Sequence, residues 1–256
     1  DHMIVQRRFA DVITAAVGSV SRVLDTRVSG TPVVVYNPVV NARKDLVHAS
    51  IPMSECPAGV KVISPQGAVP AQVLGWKDGI ADIIFSAEVA PLSFTVFNII
   101  PSGQKSARPL KITGNSLENK IYKVTFNENG DIASIIDKRY GKELVREGSP
   151  FRLQVLTDNV SKEYPAWEVF KRTLDGPSAS VTENVKISIA ENGPLRATLK
   201  IERDFEGSHI VQYVSLTDGA EDDRIEVACE IDWMSRNAML KAEFPTTLSN
   251  EKTAYD

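Results

Sequence analysis

Two tryptophan-centred segments carry the residue types best suited to chemistry. One is Tyr164-Pro165-Ala166-Trp167-Glu168, the other Ile231-Asp232-Trp233-Met234. An indole beside a carboxylate suits a sugar: the ring stacks on the C–H face, and the acid accepts hydrogen bonds from hydroxyls. The alternative for each tryptophan is a place in the core, with its indole N–H paired locally. Trp233 fits the core, because Val227, Cys229 and Ile231 precede it at alternate positions. Trp167 follows a proline and a polar run, which suits a rim. Tyr164, Trp167 and Glu168 are therefore the candidate carbohydrate-contact residues.

Other reactive groups are sparse. His48 and His209 sit alone within strand-like patterns, and His2 falls in Asp1-His2-Met3, which reads as a cloning remnant. Cys56 and Cys229 have neither a disulfide framework nor metal-site spacing. The chain contains no glycine-rich phosphate loop, no His-Glu-x-x-His, no Cys-x-x-Cys and no Gly-x-Ser-x-Gly. Asp158, Glu163, Glu168 and Asp232 offer carboxylates for acid–base work on a glycosidic bond. Such a pair must stand about 5–5.5 Å apart for retention, and nothing in their spacing demands it. No catalytic residue and no metal ligand is assigned. The net charge of −4, from 29 basic and 33 acidic residues, gives no footprint for nucleic acid and no polybasic patch for a membrane surface. No apolar run approaches the roughly 20 residues that span a bilayer. The sequence assigns no compartment.

These residues must be positioned by a mainly β chain. Its 43% hydrophobic and 24% charged content over 256 residues fits one large or two modest globular domains. The pattern predicts one helix, Ile4 to Arg27, with Val5, Phe9, Val12, Ile13, Ala16, Val17, Val20 and Leu24 on an apolar stripe. No later segment has a matching helical period, so the stripe needs a β-surface, a second copy of the chain or absent helices to cover it. Short strands follow from Pro32 to Ser102, including a hairpin around Lys77-Asp78-Gly79. Gln104 to Arg108 is the linker candidate. Beyond it the strands lengthen, starting with the alternating run Ile121 to Asp137, which turns at Asn129-Gly130. Further strands are expected at Phe151–Thr157, Ala166–Lys171, Val185–Ala190, Leu195–Arg203, His209–Leu216, Ile225–Trp233 and Met239–Phe244. The expected fold is one N-terminal helix (4–30), a small antiparallel β-sandwich (31–103) and part of a large sandwich (104–256).

Ordered motifs add a resemblance. Asn119-x-x-Tyr122-x-Val124 is followed by Gly130-x-Ile132-x-Ser134-Ile135-x-Asp137-Lys138 and then Glu143-Leu144. Phe151-x-Leu153-Gln154, Asp158, Ala166-Trp167-Glu168 and Gly193-Pro194-Leu195-Arg196-Ala197 come next. Ile231-Asp232-Trp233 and Leu240-Lys241-Ala242-Glu243-Phe244-Pro245 close the series, and Val35-Tyr36-Asn37-Pro38 lies upstream. In this order they resemble the β-domains of the α-mannosidases of glycoside hydrolase family 38. Ser235 and Phe151 depart from the family pattern, which has Glu and Asn there. The resemblance implies a galactose-mutarotase-like supersandwich. It also implies a parent enzyme whose aspartate nucleophile and zinc site lie in an N-terminal α/β domain. By resemblance, the chain begins in the last helix of a bundle and stops within the large sandwich. No position here matches the catalytic or zinc motifs. The expected function is a non-catalytic C-terminal part of a retaining, zinc-dependent α-mannosidase. Its partners would be the missing catalytic domain and mannose-containing carbohydrate, and its N-terminal helix could pair with another copy. The alternatives are an autonomous carbohydrate-binding module and a purely structural β-sandwich.

Overall fold

The computed structural model describes residues 2–104, 110–158, 161–164, 167–218 and 224–250. The chain divides into two compact units, with the boundary between residues 106 and 107. Apart from two helices, the regular elements are antiparallel strands.

The first unit opens with α1 (His2–Ser21), none of whose residues is buried. The helix stops six residues short of the expected Arg27, and Leu24 lies beyond its end. Ser19 and Ser21 turn their hydroxyls back onto the Ala15 and Val17 carbonyls, a local bond that competes with helix continuation. Among the described residues, no sheet covers the apolar stripe: Phe9, Val12 and Ile13 are all mostly exposed.

Seven strands follow: β1 (Thr31–Asn37), β2 (Arg43–Pro52), β3 (Gly59–Ser64), β4 (Gly67–Val69), β5 (Ala71–Lys77), β6 (Ile80–Val89) and β7 (Ser93–Ser102). They form two sheets, ordered β1-β7-β3-β4 and β2-β6-β5. The inward positions of both, among them Val62, Phe97 and Ile99 from one and Ile51, Ile83 and Phe85 from the other, make one core. Asp78 and Gly79 both have positive φ, 52° and 79°. That is the backbone a two-residue hairpin turn needs, and Lys77 pairs with Ile80 across it. Buried Asn37 does more than start a turn with Pro38. Its Nδ2 donates to the carbonyls of Asn41, Val89 and Ala90, tying β1 to the end of β6.

The second unit contains β8 (Lys111–Thr113), β9 (Ser116–Glu118), β10 (Tyr122–Phe126), β11 (Ile132–Asp137), β12 (Lys142–Glu143) and β13 (Arg152–Thr157). Then come α2 (Lys171–Leu174), β14 (Ser178–Ser180), β15 (Glu183–Asn192), β16 (Arg196–Phe205), β17 (Ser208–Thr217), β18 (Glu226–Asp232) and β19 (Ala238–Glu243). The sheets run β12-β11-β10-β9-β8, β14-β13-β19 and β15-β16-β17-β18. One core joins Leu117, Val124, Phe126 and Ile135 to Ala197, Leu199, Ile201, Val214 and Leu216. A second core gathers Leu153, Val155, Phe205 and Ile210.

The β10–β11 hairpin follows its alternation, with Val124 and Phe126 buried and Lys123 exposed. Asn127 Oδ1 accepts from the N–H groups of Asn129 and Asp131 and shapes the turn. Gly130, at φ 73°, completes it. A Cβ there would stand 2.5 Å from Ile201 Cγ2, so the glycine answers to the neighbouring sheet as well as to the turn.

Two expectations fail. Residues 167–170 are not a strand, and Lys171–Leu174 is a single helical turn (Ala166 lies outside the described residues). Trp167, Glu168 and Val169 are all exposed, so no buried face selects an extended pairing there. Val227, Cys229 and Ile231 do not point into a closed core. β18 is an edge strand, and these side chains are exposed in this structure.

Glu143 organises the turn side of β11. Burial pushes its carboxyl up, but hydrogen bonds from Ser134 Oγ and from the N–H groups of Val145 and Ile135 outweigh that, and the net shift is downward. A carboxylate lowered in the folded state adds stability above the unfolded value of about 4.3, and that stability disappears as pH falls through the folded value. The stability gap between the native chain and Glu143→Gln should therefore shrink between about pH 6 and pH 3. Urea unfolding at both ends of that range checks it; a gap independent of pH would contradict it.

Candidate functional site

The segment after β13 presents two aromatic rings together. Ser161 Oγ accepts hydrogen bonds from the N–H groups of Glu163 and Tyr164. The Tyr164 carbonyl in turn accepts from Trp167 N at 3.2 Å and Glu168 N at 3.1 Å. The Tyr164 and Trp167 rings stand 6.0 Å apart and within 20° of parallel. Trp167 is 86% exposed and Tyr164 50%. Glu168 is exposed beside them. On the following turn, the Arg172 guanidinium lies 4.0 Å over the Phe170 ring. The sequence-predicted trio thus falls in one turn, with two apolar ring faces and a carboxylate presented to solvent. An arrangement of this kind offers C–H stacking and hydrogen-bond acceptance.

The other candidates lie elsewhere in their strands. Trp233 is half-buried and stacks on Phe205, with ring centroids 6.5 Å apart and planes 5° from parallel. Its core placement agrees with the sequence, although β18 before it is exposed. His209, on β17, sets Nδ1 2.7 Å from Asp204 Oδ1. That contact, then one from Asn184, holds the Asp204 carboxyl below the usual range. His48 Nε2, on β2, lies 3.9 Å from Asp82 Oδ1. Cys56 and Cys229 are free and exposed. Asp158 follows β13 and keeps Oδ1 buried with no hydrogen-bond partner among the described residues. Asp232, on β18, lies opposite His209. Among the described residues, no three His, Cys, Asp or Glu side chains gather to hold a metal ion. They do not fit the zinc that the family resemblance implies for a parent enzyme.

Sequence reasoning missed the most buried charge. Arg203 Nη1 meets Asp131 Oδ1 at 2.8 Å, and Nη2 donates to the Gly130 carbonyl. The Arg203 side chain is 2% exposed and that of Asp131 5%. Burial pushes the guanidinium down from its ordinary value, and Asp131 opposes that push. A signal was available: Leu199, Ile201, Arg203 and Phe205 alternate on one face of β16, so an arginine interrupts an inward apolar register.

Stacked antiparallel sheets, with an exposed aromatic turn and no reactive cluster among the described residues, define a β-sandwich region with a candidate ligand-facing loop. Residues 117–256 match the model of the glycosyl hydrolases family 38 C-terminal domain, and the chain belongs to that family. It is 26% identical over 145 residues to alpha-mannosidase 2C1 of Homo sapiens, which is 55% of this chain and 14% of the relative. It is 27% identical over 92 residues to alpha-mannosidase G of Dictyostelium discoideum, covering 36% of this chain and 8% of the relative. A solved alpha-mannosidase from Enterococcus faecalis V583 has the same fold over 93% of the chain, with TM-score 0.67 and 20% identity. The match covers 34% of that longer chain. The matched region is thus a small part of the curated relatives and a third of the structural one.

Proposed function

We propose that this chain is the C-terminal β-region of a retaining, zinc-dependent α-mannosidase that hydrolyses terminal α-mannosides of oligosaccharides or glycans. The family match over residues 117–256 carries the reading, and the names of the curated relatives support it. In this reading the nucleophile and the zinc ligands belong to another domain of the parent. The small sandwich at 31–103 and the large one at 104–256 brace that domain. Tyr164 and Trp167 stack on the mannose ring, and Glu168 accepts from its hydroxyls. Their shared exposure in one turn supports this role.

Titration with mannose and short α-mannosides, followed by tryptophan fluorescence, tests the contact. A saturable response is expected, and Trp167→Ala should abolish it while changing stability by less than about 0.5 kcal/mol, as for most exposed sites. A flat titration to tens of millimolar removes the contact. In the same cell, an aryl α-mannoside with added zinc should release no aryl alcohol; turnover abolished by Glu168→Gln would overturn the non-catalytic assignment.

The exposed stripe of α1 is proposed to pair with a second copy or with helices of the parent. Light scattering on Val17→Asp, Val20→Asp decides between them. A fall from dimer to monomer supports pairing of copies. A monomeric native chain assigns the stripe to the parent's helices.

A further inference from the structure

We propose that Asn129 is a self-modification site: when the β10–β11 turn opens, its side chain converts to isoaspartate, and the converted turn does not close again. The reactive pair is Asn129-Gly130. Glycine has no Cβ to hinder its amide nitrogen, so that nitrogen attacks the Asn129 Cγ. The new N–Cγ bond closes a succinimide ring, and the side-chain nitrogen leaves as ammonia. Water, the sole co-reactant, then opens the ring at either carbonyl. One product is aspartate. The other is isoaspartate, whose main chain runs through Cβ and Cγ.

The folded turn holds the reacting atoms apart. Gly130 N–H donates to the Asn127 carbonyl at 3.0 Å, so the attacking nitrogen is occupied. Asn127 Oδ1 fixes the peptides on either side, accepting from Asn129 N at 3.0 Å and Asp131 N at 2.9 Å. The Gly130 carbonyl accepts from Arg203 Nη2, and the adjoining Asp131 carboxylate accepts from Nη1. Gly130 is buried, and a Cβ built on it would stand 2.5 Å from Ile201 Cγ2. Turning the Asn129-Gly130 peptide toward the side chain therefore requires the turn to lift off the neighbouring sheet, a local opening short of global unfolding.

The same packing makes the product consequential. Isoaspartate inserts a main-chain methylene, about 1.5 Å of extra chain, at a place with no room for a methyl group. The Gly130 carbonyl then moves away from Arg203, whose side chain is 2% exposed. A buried donor left without its acceptor is costly. Ordinary aspartate at the same position leaves the main chain unaltered. The chain's other Asn-Gly pair, Asn192-Gly193, lies at the β15–β16 turn with Asn192 exposed, and serves as an internal reference.

Mass-spectrometric peptide mapping of the whole chain, after incubation at mildly alkaline pH with and without urea, reads conversion at both pairs. Asn129 should convert about tenfold or more slowly in the native chain than in urea. The double variant Asp131→Ala, Arg203→Met frees the Gly130 carbonyl, and circular dichroism verifies that it folds. It should speed native conversion at Asn129 severalfold and leave Asn192 unchanged. After dilution from urea, size exclusion separates the refolded chains. Isoaspartate at position 129 should be depleted severalfold in that fraction relative to aspartate at 129 from the same sample. Equal rates at Asn129 in the native and unfolded chain, acceleration at both pairs or at neither in the double variant, or isoaspartate that refolds as well as aspartate overturns the proposal.

Discussion

Asp131→Ala should destabilise the second unit by about 3–5 kcal/mol, the range for removing one partner of a buried ion pair. Without Asp131 the Arg203 guanidinium keeps, among the described residues, only the carbonyls of Gly130 and Val181. Its Nε already lacks a partner among the described residues, so the stranded charge has little left to offset its desolvation. Asp131→Asn should cost less, because an amide oxygen can still accept from Nη1. The double variant Asp131→Ala, Arg203→Met should recover most of the loss, since an apolar side chain of similar length can occupy the space without a charge. Urea unfolding monitored by circular dichroism reads all three. A loss below about 1 kcal/mol for Asp131→Ala, or a double variant no better than the single, would show that water reaches the pair.

Phe97→Ala should cost the first unit a similar amount, about 3–5 kcal/mol, through lost burial and the cavity left behind. Phe97 is fully buried and packs against Phe85, with ring centroids 5.0 Å apart and planes tilted by 53°. It sits on β7, the strand between β1 and β3, so its neighbours cannot close over the gap without moving two strand pairs. Phe94, on the same strand, supplies the comparison. It stacks on Tyr36 at 4.3 Å on a half-exposed face, and Phe94→Ala should lose nearer 1 kcal/mol. Equal losses for the two variants would mean that the core is looser than its burial implies. Thermal unfolding of both variants makes the comparison.

Much of the fold was legible because a strand with one buried face writes its burial as a period of two. Val124 and Phe126 on β10, and Leu199 and Ile201 on β16, announce their inward side without any knowledge of the partner strand. The Asp78-Gly79 turn was legible for a similar reason: its backbone conformation excludes most other residues. The short strands β4, β8, β9, β12 and β14 were not, since two or three residues carry no measurable period. The aromatic turn was legible only as composition. Tyr164, Trp167 and Glu168 could be named, but an extended strand was expected where the chain turns.

By itself, the sequence determined that this protein is mainly β and that it belongs with the family 38 C-terminal domains. Each of those rests on residues near one another along the chain. Tertiary structure alone decided that, among the described residues, α1 is left uncovered and β18 is an edge, and that Arg203 is buried against Asp131. Whether a side chain is buried depends on which distant strand lies across from it, and pairings such as Gly130 with Ile201 and Arg203 exist only once the sheets have stacked.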